Sequence, residues 1–149
     1  MLRICLFICV CFSSTVYADS DVWLLVDTKA RKIEVKKGDQ TVETLSQIAI
    51  GRGGAGLKSH RGDNITPFGN YRIGWIGEKS SFKRFFGLTY PSTEDAEHAL
   101  RQGKIDQMTY YRIVSAHQNN QIPPQNTPLG GQIDHLSHLV DTGTVVKIK

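Results

Sequence analysis

The chain has 149 residues, with 18 Lys and Arg against 14 Asp and Glu, a formal charge of +4 and a pI near 9.0. That length suits one ordinary domain with its own core, and no composition shift or internal repeat marks a second. The mild basic excess serves solubility and also suits attraction to an anionic polymer. No basic run is interleaved with aromatics, and together with an export signal this argues against nucleic acid.

Residues 1–18 read as a secretory signal peptide and not as part of the fold. Arg3 supplies the positive start, Ile4 to Phe12 the apolar stretch, and Val16-Tyr17-Ala18 a small-x-small cleavage site, leaving Asp19 as the mature N-terminus. The apolar stretch is too short to span a bilayer, so no stable membrane anchor is expected after cleavage. Val10 ahead of Cys11 makes a poor lipoprotein site. All three cysteines, Cys5, Cys9 and Cys11, lie in this segment. Residues 19–149 therefore offer no disulfide, no thiolate metal site and no cysteine nucleophile.

The opening third of the mature chain reads as an antiparallel meander. Val22 to Val26 is apolar throughout and predicts a strand buried on both faces, whereas Lys32 to Lys36 alternates and predicts a half-exposed one. Thr41 to Leu45 and Gln47 to Ile50 continue the sheet. Gly51 to Gly56 (GRGGAG) is a flexible loop. Its spacing matches neither phosphate-binding glycine pattern and no helix follows it, which excludes a nucleotide cradle. Lys58, His60 and Arg61 make the region after it basic, suited to solvent or to an anionic ligand. Arg61-Gly62-Asp63 is a tripeptide that chance produces often and carries no adhesion function.

Thr66-Pro67-Phe68-Gly69 predicts a turn, with Pro fixing φ and Gly taking a left-handed position. The strand Asn70 to Ile76 follows it. Gly77 to Arg84 is a polar, basic loop. Phe85 to Pro91 is aromatic and extended, and serves either as core or as the wall of a binding groove. Ser92-Thr93 starts a helix with Glu94 and Asp95 in its first turn, Ala96, Ala99 and Leu100 on its apolar face, and Gly103 at its end. A second helix is capped near Asp106, carries Met108, Tyr111 and Val114 at three-residue spacing, and stops before Pro123-Pro124. Asn126 to Gly131 is a tight turn. A short helix with Ile133, Leu136, Leu139 and Val140 on one face comes next, with Gly143 as its C-cap, and Thr144 to Ile148 is a closing strand.

The chemistry-bearing residues form no recognisable constellation. His135 and His138 lie three apart on the predicted last helix, but no Glu follows in the HExxH manner and no third ligand accompanies them, so they read as surface histidines and no metal is expected. Ser137 has no strained turn to expose it as a nucleophile. The acidic residues show no pair spaced for glycoside hydrolysis. No cofactor is implied.

Several stretches in order, namely "WLLVDTKARKIEVKKGDQTVETL", "TPFGNYRIG", "FFGLTYPSTEDAEHAL" and "PPQNTPLGGQI", resemble the YkuD-type L,D-transpeptidases. These exported enzymes cross-link or trim peptidoglycan, and the Gram-negative members match best. The resemblance covers nearly the whole mature chain. It implies a mainly β (α+β) sandwich-like domain with short helices over residues 19–149, a periplasmic location, and peptidoglycan stem peptides as partners. In that family TPLGGQI runs into a strand ending in His-Gly, and a loop then leads to Ser/Thr-x-Gly-Cys. That His and Cys are the pair that attacks a peptide carbonyl and hands the acyl group to an amine. Here TPLGGQI runs straight into DHLSHLVDTGTVVKIK, and the catalytic segment is absent between Gln132 and Asp134. His135 is not followed by Gly and fits the family's later helix better than its catalytic histidine.

The resemblance therefore implies a family member lacking its catalytic pair, inactive as written, or else a non-catalytic binding or regulatory module or a truncated remnant. No catalytic residue is assigned. Arg61, Lys79, Phe85 and Tyr90 are the candidate ligand contacts. The missing strand and helix should lie centrally in the family fold, which predicts exposed apolar faces on Val22–Val26 and Tyr71–Ile76 and unpaired strand edges.

Overall fold

A computed structural model describes residues 22–77, 85–131, 133–135 and 143–149. Residues 1–18, read as a signal peptide, lie outside the described residues.

Alternation of side chains builds the first three strands, β1 (Val22–Asp27), β2 (Lys32–Lys37) and β3 (Gln40–Ser46). In β2, Ile33 and Val35 are buried while Lys32, Glu34 and Lys36 are half-buried on the other face. β1 follows the same rule despite its apolar sequence, because only Leu24 and Val26 are fully enclosed. It pairs antiparallel with β2, Leu24 opposite Val35 and Val26 opposite Ile33. On the outer face Glu34 bridges Lys32 and Lys36 at 2.5 and 2.9 Å, and Lys147 lies 4.4 Å from the ring centre of Trp23. β3 ends at Ser46, and Gln47 to Ile50 does not continue the sheet as predicted. Gln47 takes a φ of 62°, a left-handed conformation that breaks the extended run.

The GRGGAG stretch is pinned rather than slack. A Cβ on Gly51 would sit 2.0 Å from the Asn64 carbonyl oxygen, and one on Gly53 2.4 Å from that of Asp63, so two backbones pack with no side chain between them. The close approach lets β4 (Ala55–Gly56) pair in parallel with β5 (Thr66–Pro67). Thr66–Gly69 is thus a strand pairing leading directly into β6 (Gly69–Gly77), and not the predicted turn.

β7 (Phe85–Leu88) pairs antiparallel with β6, and Gly87 leaves room for the indole of Trp75, which a Cβ there would meet at 2.0 Å. The helix α1 (Thr93–Arg101) starts where the sequence predicts. Ser92 accepts from the Asp95 N–H at 3.1 Å and Asp95 accepts from the Ser92 N–H at 2.9 Å, a reciprocal capping box. The helix α2 (Gln107–Gln118) is capped by Asp106. Its buried residues are Ile113 and Ala116, while Met108 and Tyr111 are 72% and 62% exposed. The three-residue spacing therefore does not mark the packed face.

The tail differs most from the sequence reading. Residues 134–135 form a strand, β8 (Asp134–His135), paired antiparallel with β7, where the start of a helix was predicted. The rest of that predicted helix lies outside the described residues. β9 (Val145–Ile148) lies between β1 and β6, parallel to the first and antiparallel to the second. The result is a seven-stranded mixed sheet in the order β3-β2-β1-β9-β6-β7-β8. The facing edges of β1 and β6 are therefore occupied by β9, contrary to the expectation of unpaired edges. Leu24, Val26, Val146, Ile148, Tyr71 and Ile73 share one buried cluster with Ala96, Ala99, Ile105, Ile113 and Leu129, so the helical layer closes over a single face of the sheet. The mainly β architecture with short helices agrees with the fold the sequence implies.

Candidate functional site

The loop from Leu57 to Ile65 is organised around a carboxylate. Asp63 accepts from the backbone N–H groups of Ser59, His60 and Ile65 at 2.7, 3.2 and 3.1 Å, and from the ammonium of Lys58. The Lys58 and Asp63 side chains are only 6% and 5% exposed. Burial alone would raise the Asp63 pKa. The Lys58 hydrogen bond and the backbone donors outweigh it, and the carboxyl is held well below the usual range. Lys58 and Asp63 thus neutralise each other inside the loop, and Arg61 projects from it.

Residues 125–131 form the facing wall. Thr127 to Gly130 closes as a turn, with the Gly130 N–H on the Thr127 carbonyl at 2.9 Å and the Thr127 hydroxyl on the Gly130 carbonyl at 3.0 Å. Gly130 has a φ of 89°, which few other residues tolerate. At Gly131 a Cβ would fall 2.4 Å from the Gln125 carbonyl oxygen, so only glycine lets the chain double back on itself here. Gln125 donates to the carbonyls of Tyr90 and Pro123, each at 2.9 Å.

The two walls are tied by Arg61. Its backbone N–H donates to the Pro128 carbonyl at 2.7 Å, and its Nη2 donates to Asn126 Oδ1 at 2.6 Å, with the Gln125 carbonyl at 3.4 Å. Between them lies a cleft of about 460 Å³ lined by Lys58, Arg61, Gly62, Gln125, Asn126, Gly130, Gly131 and Ile133. No carboxylate stands among these lining residues. The site can hold a small anion and hydrogen-bond an extended chain. None of the described lining residues carries a thiol or a hydroxyl.

Of the predicted contacts, Arg61 lines the cleft. Tyr90 does not reach it as a surface. It is 0% exposed, and its hydroxyl donates to the Leu129 carbonyl at 3.3 Å, so it supports the turn from behind. Burial pushes its phenol pKa well up, which keeps it a donor. Lys79 lies outside the described residues. Phe85 begins β7, opposite Gly77. The sequence reading grouped Lys58 with Arg61 as a basic patch and did not bring Asp63, Gln125 and Asn126 into one site with them. The signal available was the glycine pair 130–131, which marks where two backbones meet.

Tyr71 and Asp95 form a second buried polar pair, the hydroxyl lying 3.0 Å from the carboxylate and 2.9 Å from the Phe68 carbonyl. Desolvation raises the pKa of both; their hydrogen bond adds to the rise at Tyr71 and opposes it at Asp95. Asp95 is already committed to the cap of α1, so the pair is structural. His135 sits on β8, opposite Phe86. His138 is outside the described residues, which contain no group of three or more metal-ligating side chains close enough to share an ion.

A family model for the L,D-transpeptidase catalytic domain, YkuD, matches residues 21–133. The chain belongs to this family. The match takes in both walls of the cleft and ends with the TPLGGQI segment, at Ile133. No curated protein and no solved structure matches the chain. No helix among the described residues is long and apolar enough to cross a membrane.

Proposed function

We propose that this L,D-transpeptidase-family protein is exported to the periplasm and acts in peptidoglycan remodelling by binding stem peptides, without transferring acyl groups. The observation that carries this reading is a family fold with an open polar cleft in a chain whose last cysteine is Cys11. The family's reaction needs a thiolate, because a hydroxyl at neutral pH is a weak nucleophile without a positioned base. The Ser59 hydroxyl and His60 Nδ1 lie 2.8 Å apart on the same loop, but this exposed pair is not among the described residues that line the cleft. The cleft itself supports binding: one wall offers the Arg61 guanidinium and the other the Asn126 amide, suited to an extended peptide carrying negative charge.

The test is to incubate purified residues 19–149 with isolated sacculi and with a disaccharide-tetrapeptide. Co-sedimentation with sacculi and no release of D-alanine is the expected result. Release of D-alanine at a rate above the buffer control would overturn the inactive reading. Failure to co-sediment would overturn the binding one.

A further inference from the structure

Two cations line the cleft, and they are not equivalent. Lys58 is enclosed and its charge is spent on Asp63. Arg61 is exposed, and its side-chain partners, the Asn126 amide oxygen and the Gln125 carbonyl, are neutral. These contacts fix the guanidinium without cancelling its charge. Both use Nη2, which leaves the donors of Nε and Nη1 for a ligand. The opposite wall presents glycine: a Cβ on Gly130 would lie in ordinary contact, 3.5 Å, with the Arg61 Cα.

Resting on the binding function proposed above, we propose that Arg61 is the specificity-determining residue of the cleft and reads a free carboxylate on the ligand, with Asn126 as its positioning residue. The Lys58–Asp63 pair makes this selectivity possible in two ways. It holds the loop that presents Arg61, and it removes the competing charge that would otherwise attract anions without regard to geometry. A carboxylate that accepts from Nη1 makes a charge-assisted hydrogen bond, roughly twice as strong as the one a neutral amide makes at the same donor, and this distinguishes acid from amide.

The probes are N-acetyl-D-alanine and N-acetyl-D-alaninamide, alike except at that group, followed by the amide resonances of Gly130 and Gly131 in the purified protein. The acid should shift these resonances with at least about tenfold lower apparent Kd than the amide, the ratio that one charge-assisted pair supplies. Arg61→Gln should bring the acid down to the affinity of the amide and leave the amide unchanged. This variant also removes the side-chain tie to Asn126, so its thermal midpoint is checked alongside. Asn126→Ala should weaken the acid less than Arg61→Gln does. Equal affinity for acid and amide in the parent, or an equal loss of both in Arg61→Gln, would overturn the proposal. An Arg61-dependent preference for the acid without binding to sacculi would keep the carboxylate site and sink the peptidoglycan reading. Binding to sacculi that Arg61→Gln leaves intact, with no acid preference, would do the reverse.

Discussion

Along β1, β9 and β6 the inward residues Leu24, Val26, Val146, Ile148, Tyr71 and Ile73 are all enclosed and nearly all purely apolar. Across the cleft, the enclosed groups are an ammonium, a carboxylate, a threonine hydroxyl and glycine backbone. The sheet centre is held by burial of area, which is non-directional and forgiving of shape. The cleft is held by donors and acceptors that must each find a partner, and it tolerates removal of one partner poorly. The difference accounts for what each region can do. A packed apolar sheet gives a rigid frame, and only the polar region can recognise a charged ligand.

The most severe way to break the frame is to put a charge in its middle. Val146 is 0% exposed, between Leu24 on β1 and Tyr71 on β6. Val146→Asp would bury a carboxylate with no partner, costing several kcal/mol out of a total stability of roughly 5–15 kcal/mol. Loss of the cooperative transition in urea, followed by far-UV circular dichroism, is expected. A transition within about 1 kcal/mol of the parent would mean that β9 does not occupy the centre of the sheet.

The cleft breaks differently. Asp63→Ala leaves the Lys58 ammonium enclosed and unpaired and strips three backbone donors of their acceptor, at a cost of about 3 kcal/mol. Replacing both members together, Lys58→Met with Asp63→Leu, should recover part of that loss, because the uncompensated charge is gone. The parent should also weaken on acidification through this pair. The folded carboxyl titrates below its unfolded value, so the unfolded chain takes up the proton first. The contribution is complete above about pH 4 and fades below it. Asp63→Asn should flatten that acid limb of the stability profile, measured by urea midpoints from pH 2 upward.

Two glycines separate contact from conformation. Gly131→Ala drives a methyl into the Gln125 carbonyl and should cost about 2 kcal/mol. Gly54, with a φ of 90° and open space around it, should cost about 1 kcal/mol as Ala, from backbone strain alone. Equal losses at the two sites would mean that the turn at 131 can relax and that the cleft wall is softer than its packing indicates.

How much of this the sequence revealed follows the same division. Ile33 and Val35 alternate with Lys32, Glu34 and Lys36, and Ser92 stands three residues before Asp95, so β2 and the start of α1 are local patterns read directly. The insertion of β9 between β1 and β6 is not local. It pairs Trp23 with Val145 across most of the chain, and no spacing in VVKIK announces which neighbours it takes. Arg61 was legible as an exposed cation after a glycine loop. Its tie to Asn126 was not, because two segments more than sixty residues apart supply the two groups. An aromatic stretch looks alike whether it lines a groove or backs one, and the enclosure of Tyr90 with its hydroxyl on the Leu129 carbonyl is not written in its neighbours.

The helix α2 gives the smallest effect and the sharpest check on reading faces from spacing. Met108 and Tyr111 recur at the interval of a packed helix face, yet both are solvent-exposed, together with Ile122 at 46%. The buried pair, Ile113 and Ala116, carries the contact with the core instead. Tyr111→Ser and Met108→Gln should each change stability by no more than about 0.5 kcal/mol. Ile113→Ala, 0% exposed, should cost about 3 kcal/mol on the same helix. A loss at Tyr111 as large as that at Ile113 would show that the exposed face is covered in solution.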